Sequence, residues 1–146
     1  MKAIKQKKQV LDNSMIEDEF FEDAMLIGIV CPLPSYQFVW RINKAFNYMF
    51  ERTHEFEVEV KNEFYEVYCF AEDEKLIEHT IYVNRKNTHF LLDEIKHIDF
   101  IWMIKGGALP QEYTTQLPMY LNEVNAVVHS FVLNPQQLKS KHLLIL

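Results

Sequence analysis

The chain begins its folded pattern with an unbroken apolar run followed by a helical stripe. The run, AMLIGIVC, spans residues 24–31 and is closed by Pro32 and Pro34. A short run without polar alternation is typical of a strand buried on both faces. The next segment predicts an amphipathic helix over about residues 35–51 with Ser35 as its N-cap. Its apolar residues recur at spacings of three and four: Phe38, Val39, Ile42, Phe46, Met49 and Phe50.

The apolar period then changes from helical spacing to simple alternation. EFEVEVK at 55–61 has Phe56, Val58 and Val60 on one side, and FYEVYCF at 64–70 follows a turn at 61–62. These features predict a hairpin. HTIYVN at 79–84 alternates again, with Ile81 and Val83 facing inward, before a turn at 85–87.

A second unbroken run, IDFIWMI at 98–104, predicts a central strand that ends at Gly106 and Gly107. Helical spacing after Pro110 predicts a second helix, which Pro118 is expected to split or kink. AVVHSFVL at 126–133 predicts the last strand. The sequence therefore predicts an α+β fold, a mostly antiparallel sheet of about six strands with two main helices packed on one face.

The size and composition favour one domain. The chain has 146 residues, of which 49% are hydrophobic and 14% aromatic, which is enough to bury a sizeable core. We expect a single domain over residues 1–146. We expect its first twelve residues to form a flexible basic N-terminus and residues 134–146 to form a C-terminal tail.

The charge balance and the apolar segments restrict the classes of partner. Fifteen basic against 21 acidic residues give a net charge of −6, which argues against nucleic acid. The segment NSMIEDEFFED at 13–23 inserts five acids between the N-terminal lysines and the first apolar run, unlike a signal peptide, and no run approaches the ~20 apolar residues of a membrane span. Cys31 and Cys69 lack a CxxC spacing, so reduced thiols and a cytoplasmic location are expected, with no membrane.

One polar stretch, LDEIKHIDF at 92–100, contains the residues closest to a chemical site. Glu94 and His97 are three apart, the spacing used in di-iron helical bundles, and Glu51 and His54 repeat it. That architecture needs further glutamates on two more helices, which the chain lacks. If residues after His97 form a strand, Glu94 and His97 point to opposite faces.

Other metal, cofactor or catalytic sites have little support from spacing. A mononuclear metal site could still draw distant ligands together; the candidates are His79, His89, His97, His129, Asp93 and Asp99. No HExxH, CxxC or phosphate-binding glycine loop is present in the sequence, so no metal and no cofactor are expected. The simpler interpretation of the polar cluster Glu94, His97 and Asp99 is structural, with carboxylates accepting hydrogen bonds in the turn before the central strand.

The same stretch resembles the motif of a bacterial family of small proteins named IPExxxVDY, which has no established activity. Glu94 and Asp99 are identical to the motif, whereas Asp93 stands in place of its proline and Phe100 in place of its tyrosine. LIGI at 26–29, Tyr36 and RIN at 41–43 also look like the family's strand and first helix. The resemblance covers about residues 11–135 and implies no catalytic residue.

Two hypotheses of function follow from these patterns. The first is a non-catalytic interaction or assembly module with a protein partner, most simply a homodimer. If Val67 and Ile81 face the core, alternation places Tyr68, Phe70 and Tyr82 together on the opposite face, as a candidate interface. In that case the second helix or the C-terminal HLLIL could equally cover this face. The second hypothesis is a small ligand- or metal-binding domain or enzyme that uses Glu94, His97 and Asp99.

Overall fold

A six-stranded antiparallel sheet forms the centre of the protein, in a computed structural model that describes residues 15–146. The predicted basic N-terminus lies outside the described residues. The six strands are β1 (Ala24–Val30), β2 (Glu51–Arg52), β5 (Val67–Glu72), β6 (Ile77–Val83), β9 (Phe100–Lys105) and β10 (His129–Leu133). Their order across the sheet is β10-β1-β9-β6-β5-β2. Two small hairpins lie outside it, β3 (Val58–Val60) with β4 (Glu63–Tyr65), and β7 (Arg85–Lys86) with β8 (His89–Phe90).

The helices are short, and the two predicted from the sequence pack on the same face of the sheet. The described residues contain α1 (residues 15–22), α2 (Ser35–Phe46) and α3 (Leu117–Leu121). A π-helical turn, Glu112–Gln116, precedes α3, and the two predicted helices are α2 and α3. The α+β architecture with two helices on one face is confirmed. None of the helices between residues 15 and 146 is long and apolar enough to cross a bilayer.

The two apolar runs form adjacent central strands, as predicted. Ile27 on β1 is the register partner of Trp102 on β9, and both side chains are fully buried. β1 pairs with β9 along one edge and with β10 along the other, and its side chains are buried on both faces of the sheet, with Ile27 in one core cluster and Leu26 in the other. That environment explains why neither run shows polar alternation.

The register divides the core into two layers. Tyr68, Ile81 and Trp102 are aligned on the face that α2 and α3 cover, which we call the helix face. Val67, Tyr82 and Ile101 are aligned on the opposite face. That face is covered by α1, by the segment 91–98 and by residues 134–146, which contribute Phe21, Leu91, Leu92, Ile95, Ile98, Leu138 and Leu144.

Helix α2 ends five residues earlier than the sequence predicted. Asn47 adopts a left-handed conformation with φ of 56°, and its backbone N–H bonds to the Asn43 carbonyl. The Asn43 side chain then pairs with the backbone of Phe50 in both directions, at 2.8 and 3.1 Å. Asparagine tolerates the left-handed region, so these two residues turn the chain away from the helix axis. Met49 is consequently exposed.

Two local predictions were wrong. Pro34, not Ser35, is the N-cap of α2, and the Ser35 hydroxyl instead donates to Glu66 at 2.6 Å. Phe56 lies in a 3₁₀ turn before β3 and is 45% exposed, so the strand pattern of EFEVEVK holds only from Val58 onward.

The predicted hairpin turn is present, and the predicted second helix is divided into a π-helical turn and a short α-helix next to Pro118. Lys61 and Asn62 have φ of 52° and 67°, the paired positive values of a two-residue hairpin turn, between β3 and β4. Before Pro118, the Leu117 N–H bonds to the Glu112 carbonyl five residues back. Because Pro118 has no N–H to continue an α-helical ladder, the widened turn accommodates it.

Residues 134–146 do not form a free tail. They make two 3₁₀ turns, Pro135–Gln137 and Lys141–Leu144, and Leu144 is fully buried. The Tyr82 hydroxyl donates to the Leu144 carbonyl. The alternative that HLLIL covers one face of the sheet is therefore confirmed for Tyr82.

Candidate functional site

The polar cluster predicted from the sequence is dispersed in the structure. Glu94 accepts hydrogen bonds from the Ser140 N–H at 2.9 Å and the Ser140 hydroxyl at 3.0 Å. His97 is exposed and stacks on Phe131, with ring centroids 5.9 Å apart. Glu94 therefore holds the C-terminal segment and His97 lies beside β10.

Asp99 has a different structural role from its predicted partners. Its Oδ2 accepts the Cys31 N–H at 2.8 Å, and its Oδ1 lies 3.5 Å from the Arg85 guanidinium. The Asp99 N–H itself donates to the Ile29 carbonyl. The carboxylate thus joins the start of β9 to the end of β1, across strands and not within the local turn that the sequence suggested.

Asn84 organises the segment before β9 and was not singled out in the sequence. It is fully buried and accepts the Leu92 N–H while donating to the carbonyls of Ile95 and Ile98. A buried amide with all these bonds satisfied fixes the path of the polar stretch. With Glu94, His97 and Asp99 apart, the ligand-binding or enzyme hypothesis loses its proposed site. Over residues 15–146 no group of three His, Cys, Asp or Glu side chains is placed to hold a metal ion.

The expectation that Tyr68, Phe70 and Tyr82 share one face was wrong. Tyr68 pairs with Ile81, whereas Tyr82 pairs with Val67, so the two tyrosines lie on opposite faces of the sheet. Tyr68 is buried under α2, where its hydroxyl donates to Glu66 at 2.9 Å, and Tyr82 is buried under Leu144. These residues do not form a free surface for a partner.

A buried histidine network lies on the helix face. The His79 ring is packed among aromatic residues and accepts a hydrogen bond at Nδ1 from the Trp102 indole N–H at 3.1 Å. His79 Nε2 lies 2.8 Å from Glu72 Oε2, which also accepts the Tyr113 hydroxyl at 2.6 Å. This chain of bonds links three strands to the π-helical turn.

The network fixes the protonation of His79. Because an indole N–H can only donate, His79 Nδ1 must accept this hydrogen bond with its lone pair. The ring proton of His79 is therefore on Nε2, and this N–H donates a hydrogen bond to Glu72. Burial lowers the pKa of His79, an effect that the Glu72 carboxylate offsets only in part. Burial alone would raise the pKa of Glu72, but hydrogen bonds from His79 and Tyr113 together with the nearby charge of Lys75 hold that pKa below its usual value. The pair is therefore a neutral imidazole beside a carboxylate.

A cavity of about 390 Å³ opens next to this network, and we call it the tyrosine cavity. Its lining includes the aromatic rings of Phe46, Tyr48, Phe70, Tyr113 and Tyr120, together with Glu72, Lys75 and Glu112. Burial, reinforced by the negative charge of Glu72, raises the pKa of both Tyr48 and Tyr113, so both phenols stay protonated at neutral pH. The cavity thus offers aromatic faces, hydroxyl groups and the carboxylates of Glu72 and Glu112.

A larger groove of about 630 Å³ adjoins the cavity between α2 and the α3 region, and we call it the helix groove. Trp40 and Tyr120 line it and are 58% and 52% exposed. Lys44 lies over the Trp40 ring at 4.7 Å on one wall, and Glu123 lies on the other. Two neighbouring large hydrophobic residues, Tyr36 on α2 and Met119 on α3, are also exposed.

The sequence contained partial signals for both sites. Phe70 and His79 are register partners on β5 and β6, which makes Glu72 a diagonal neighbour of His79 in the hairpin. The pair would have been recognisable once the hairpin register was known. Trp40 interrupts the polar side of α2, and an exposed tryptophan at such a position is a direct signal for a binding surface.

Comparison with known proteins leaves the family open. The chain matches no family model, and no curated protein matches it significantly. The resemblance to the IPExxxVDY family therefore stays a prediction from the motif residues.

Proposed function

We propose that the protein is a non-catalytic interaction module that forms a homodimer through the helix groove. The observation that carries this proposal is the exposure of Trp40 and Tyr120 on the two walls of one groove. Large aromatic side chains at the centre of a concave surface are the residues that contribute most to protein interfaces. The sequence predicted an interface on the sheet, at Tyr68, Phe70 and Tyr82. Because Tyr68 and Tyr82 are buried within the chain, we propose that the interface lies at the helix groove instead.

The charges of the groove favour a second copy as the occupant. Arg41 and Lys44 make the α2 wall basic, whereas Glu123 makes the opposite wall acidic. A two-fold axis through the groove would place the basic wall of each copy on the acidic wall of the other, as a self-complementary interface requires. Trp40 of each copy would then insert near Tyr120 of the partner.

Sedimentation velocity over a range of protein concentrations tests this proposal. We expect a concentration-dependent dimer that Trp40→Glu converts into a folded monomer, because a charge would be buried in the centre of the contact. Phe64→Glu is the matched control, since Phe64 is 51% exposed on β4, away from the groove. It should leave the dimer intact.

Tryptophan fluorescence gives a second readout without a variant. Trp102 is fully buried and Trp40 is exposed, so collisional quenching by iodide reports mainly on Trp40. Quenching should decrease as the protein concentration rises through the dimerisation range. A monomer at every concentration, or a dimer that persists in Trp40→Glu, would refute the proposal.

We also propose that the protein belongs to the IPExxxVDY family and is located in the cytoplasm. Glu94 and Asp99 match the motif and support membership of the IPExxxVDY family. Both carboxylates make structural hydrogen bonds, which agrees with a family that has no assigned catalytic residue. Cys31 and Cys69 are both free thiols, as is usual for proteins in the reducing environment of the cytoplasm, and this supports a cytoplasmic location.

A further inference from the structure

We propose that the tyrosine cavity binds a small organic ammonium ion, such as a trimethylammonium compound. This inference goes beyond the proposed dimer and does not depend on it, although the cavity shares Phe46 and Tyr120 with the helix groove.

The aromatic lining provides the first argument. Tyr48 lies between Phe46 and Phe70, with ring centroids 5.6 and 5.0 Å away, and these rings form a continuous aromatic wall. Tyr113 lines the same cavity. Quaternary ammonium groups are bound in proteins by aromatic faces of this kind, because the ring quadrupole attracts a cation that carries no hydrogen-bond donor.

The charge of the cavity provides the second argument. Glu72 and Glu112 contribute two carboxylates, against the single ammonium of Lys75. Hydrogen bonds from His79 and Tyr113 keep Glu72 ionised in a side chain that is only 16% exposed. A fixed carboxylate beside aromatic faces favours a cation over a neutral molecule of the same shape.

Lys75 shows that the cavity already attracts a cation. Its Nζ lies 5.5 Å from the centre of the Tyr113 ring, 3.3 Å from the Tyr113 hydroxyl and 3.4 Å from Glu112. The Lys75 and Glu112 side chains are about half exposed, so this pair lies at the rim and can move aside. A bound ammonium ion would compete with Lys75 for the same groups.

Titration with choline and its neutral isostere 3,3-dimethylbutan-1-ol, followed by amide chemical shifts, tests the proposal at constant ionic strength. Choline should bind at least about fivefold more tightly, the ratio that corresponds to about 1 kcal/mol of cation–π attraction. The shifts should be concentrated at residues that line the tyrosine cavity, with smaller shifts along the Trp40 side of the groove.

Substitutions give opposite expected effects. Lys75→Gln removes the competing cation and should tighten choline binding about threefold or more, whereas Glu72→Gln should weaken it by about tenfold. Tyr48→Leu should weaken binding, and Tyr48→Phe, which keeps the ring, is its matched control. If Glu72→Gln fails to fold because His79 loses its partner, the Tyr48 pair and Lys75→Gln still decide the question.

Three results would overturn the proposal. They are equal affinity for choline and its neutral isostere, weaker binding in Lys75→Gln, and chemical shifts centred on Trp40 instead of the cavity. A monomeric protein that binds choline would refute only the dimer, and a dimer that does not bind choline would refute only the ammonium site.

Discussion

Replacing Trp102 with alanine should destabilise the protein more than most single substitutions. Trp102 lies in the middle of β9, fully buried on the helix face between its register partners Ile27 and Ile81. Its ring also packs edge-to-face against Phe50, with centroids 5.3 Å apart. The side chain therefore contacts both neighbouring strands and the segment after α2.

The expected loss of stability in Trp102→Ala has two parts. Truncating a buried tryptophan to alanine costs about 3–5 kcal/mol through lost burial and the cavity that remains. The same change leaves His79 Nδ1 without its donor in the core, which adds about 1 kcal/mol or more. A domain of this size loses about 2–4 °C of melting temperature per kcal/mol, so a fall of roughly 10–20 °C is expected.

Urea unfolding followed by far-UV circular dichroism measures the loss, and Trp102→Phe separates its parts. Phenylalanine keeps most of the ring but has no N–H, so it should cost clearly less than alanine while still leaving His79 unpaired. If Trp102→Ala melts at the wild-type temperature, the position of Trp102 in the core is wrong. Equal losses for Phe and Ala would mean that the hydrogen bond, not packing, dominates.

Three further predictions concern titration, backbone packing and thiol reactivity. The pKa of His79 is lowered in the fold, so the unfolded state binds more protons as the pH falls. The free energy of unfolding should therefore decrease below about pH 6.5. Urea unfolding at several pH values should show a smaller decrease in His79→Gln than in the wild type. Gly106→Ala should cost about 1–3 kcal/mol in thermal unfolding, because its Cβ would lie 2.9 Å from the Leu76 carbonyl oxygen, whereas Gly107→Ala, with nothing within 4 Å, should have little effect. Burial raises the pKa of Cys31, so mass spectrometry should show alkylation of Cys31 only after denaturant is added.

The sequence predicted the central strands because their chemistry is unambiguous. AMLIGIVC and IDFIWMI have no polar side to expose, and both became strands with side chains buried on both faces. The same property made the neighbouring strands harder to orient. β6 is also covered on both faces, so alternation could not decide whether Ile81 or Tyr82 shared a face with Val67.

The candidate sites depended on information that is not local in sequence. The phase of β5 relative to β6 is set by the register of their pairing, and an error of one residue moves every side chain to the other face. That error placed Tyr68 beside Tyr82. The end of α2 was missed because it depends on the Asn43 side chain meeting the backbone of Phe50 seven residues later.

The position of β1 in the sheet has a consequence for synthesis of the chain. Its neighbours are β9 and β10, at residues 100–105 and 129–133, so β1 leaves the ribosome long before either partner exists. Until then an apolar strand has two open edges, and α1 and α2 are the helices already made that can shield its faces. The nascent chain therefore exposes the edges of an apolar strand before its partners are made, and completing the sheet must wait for contacts between distant parts of the sequence.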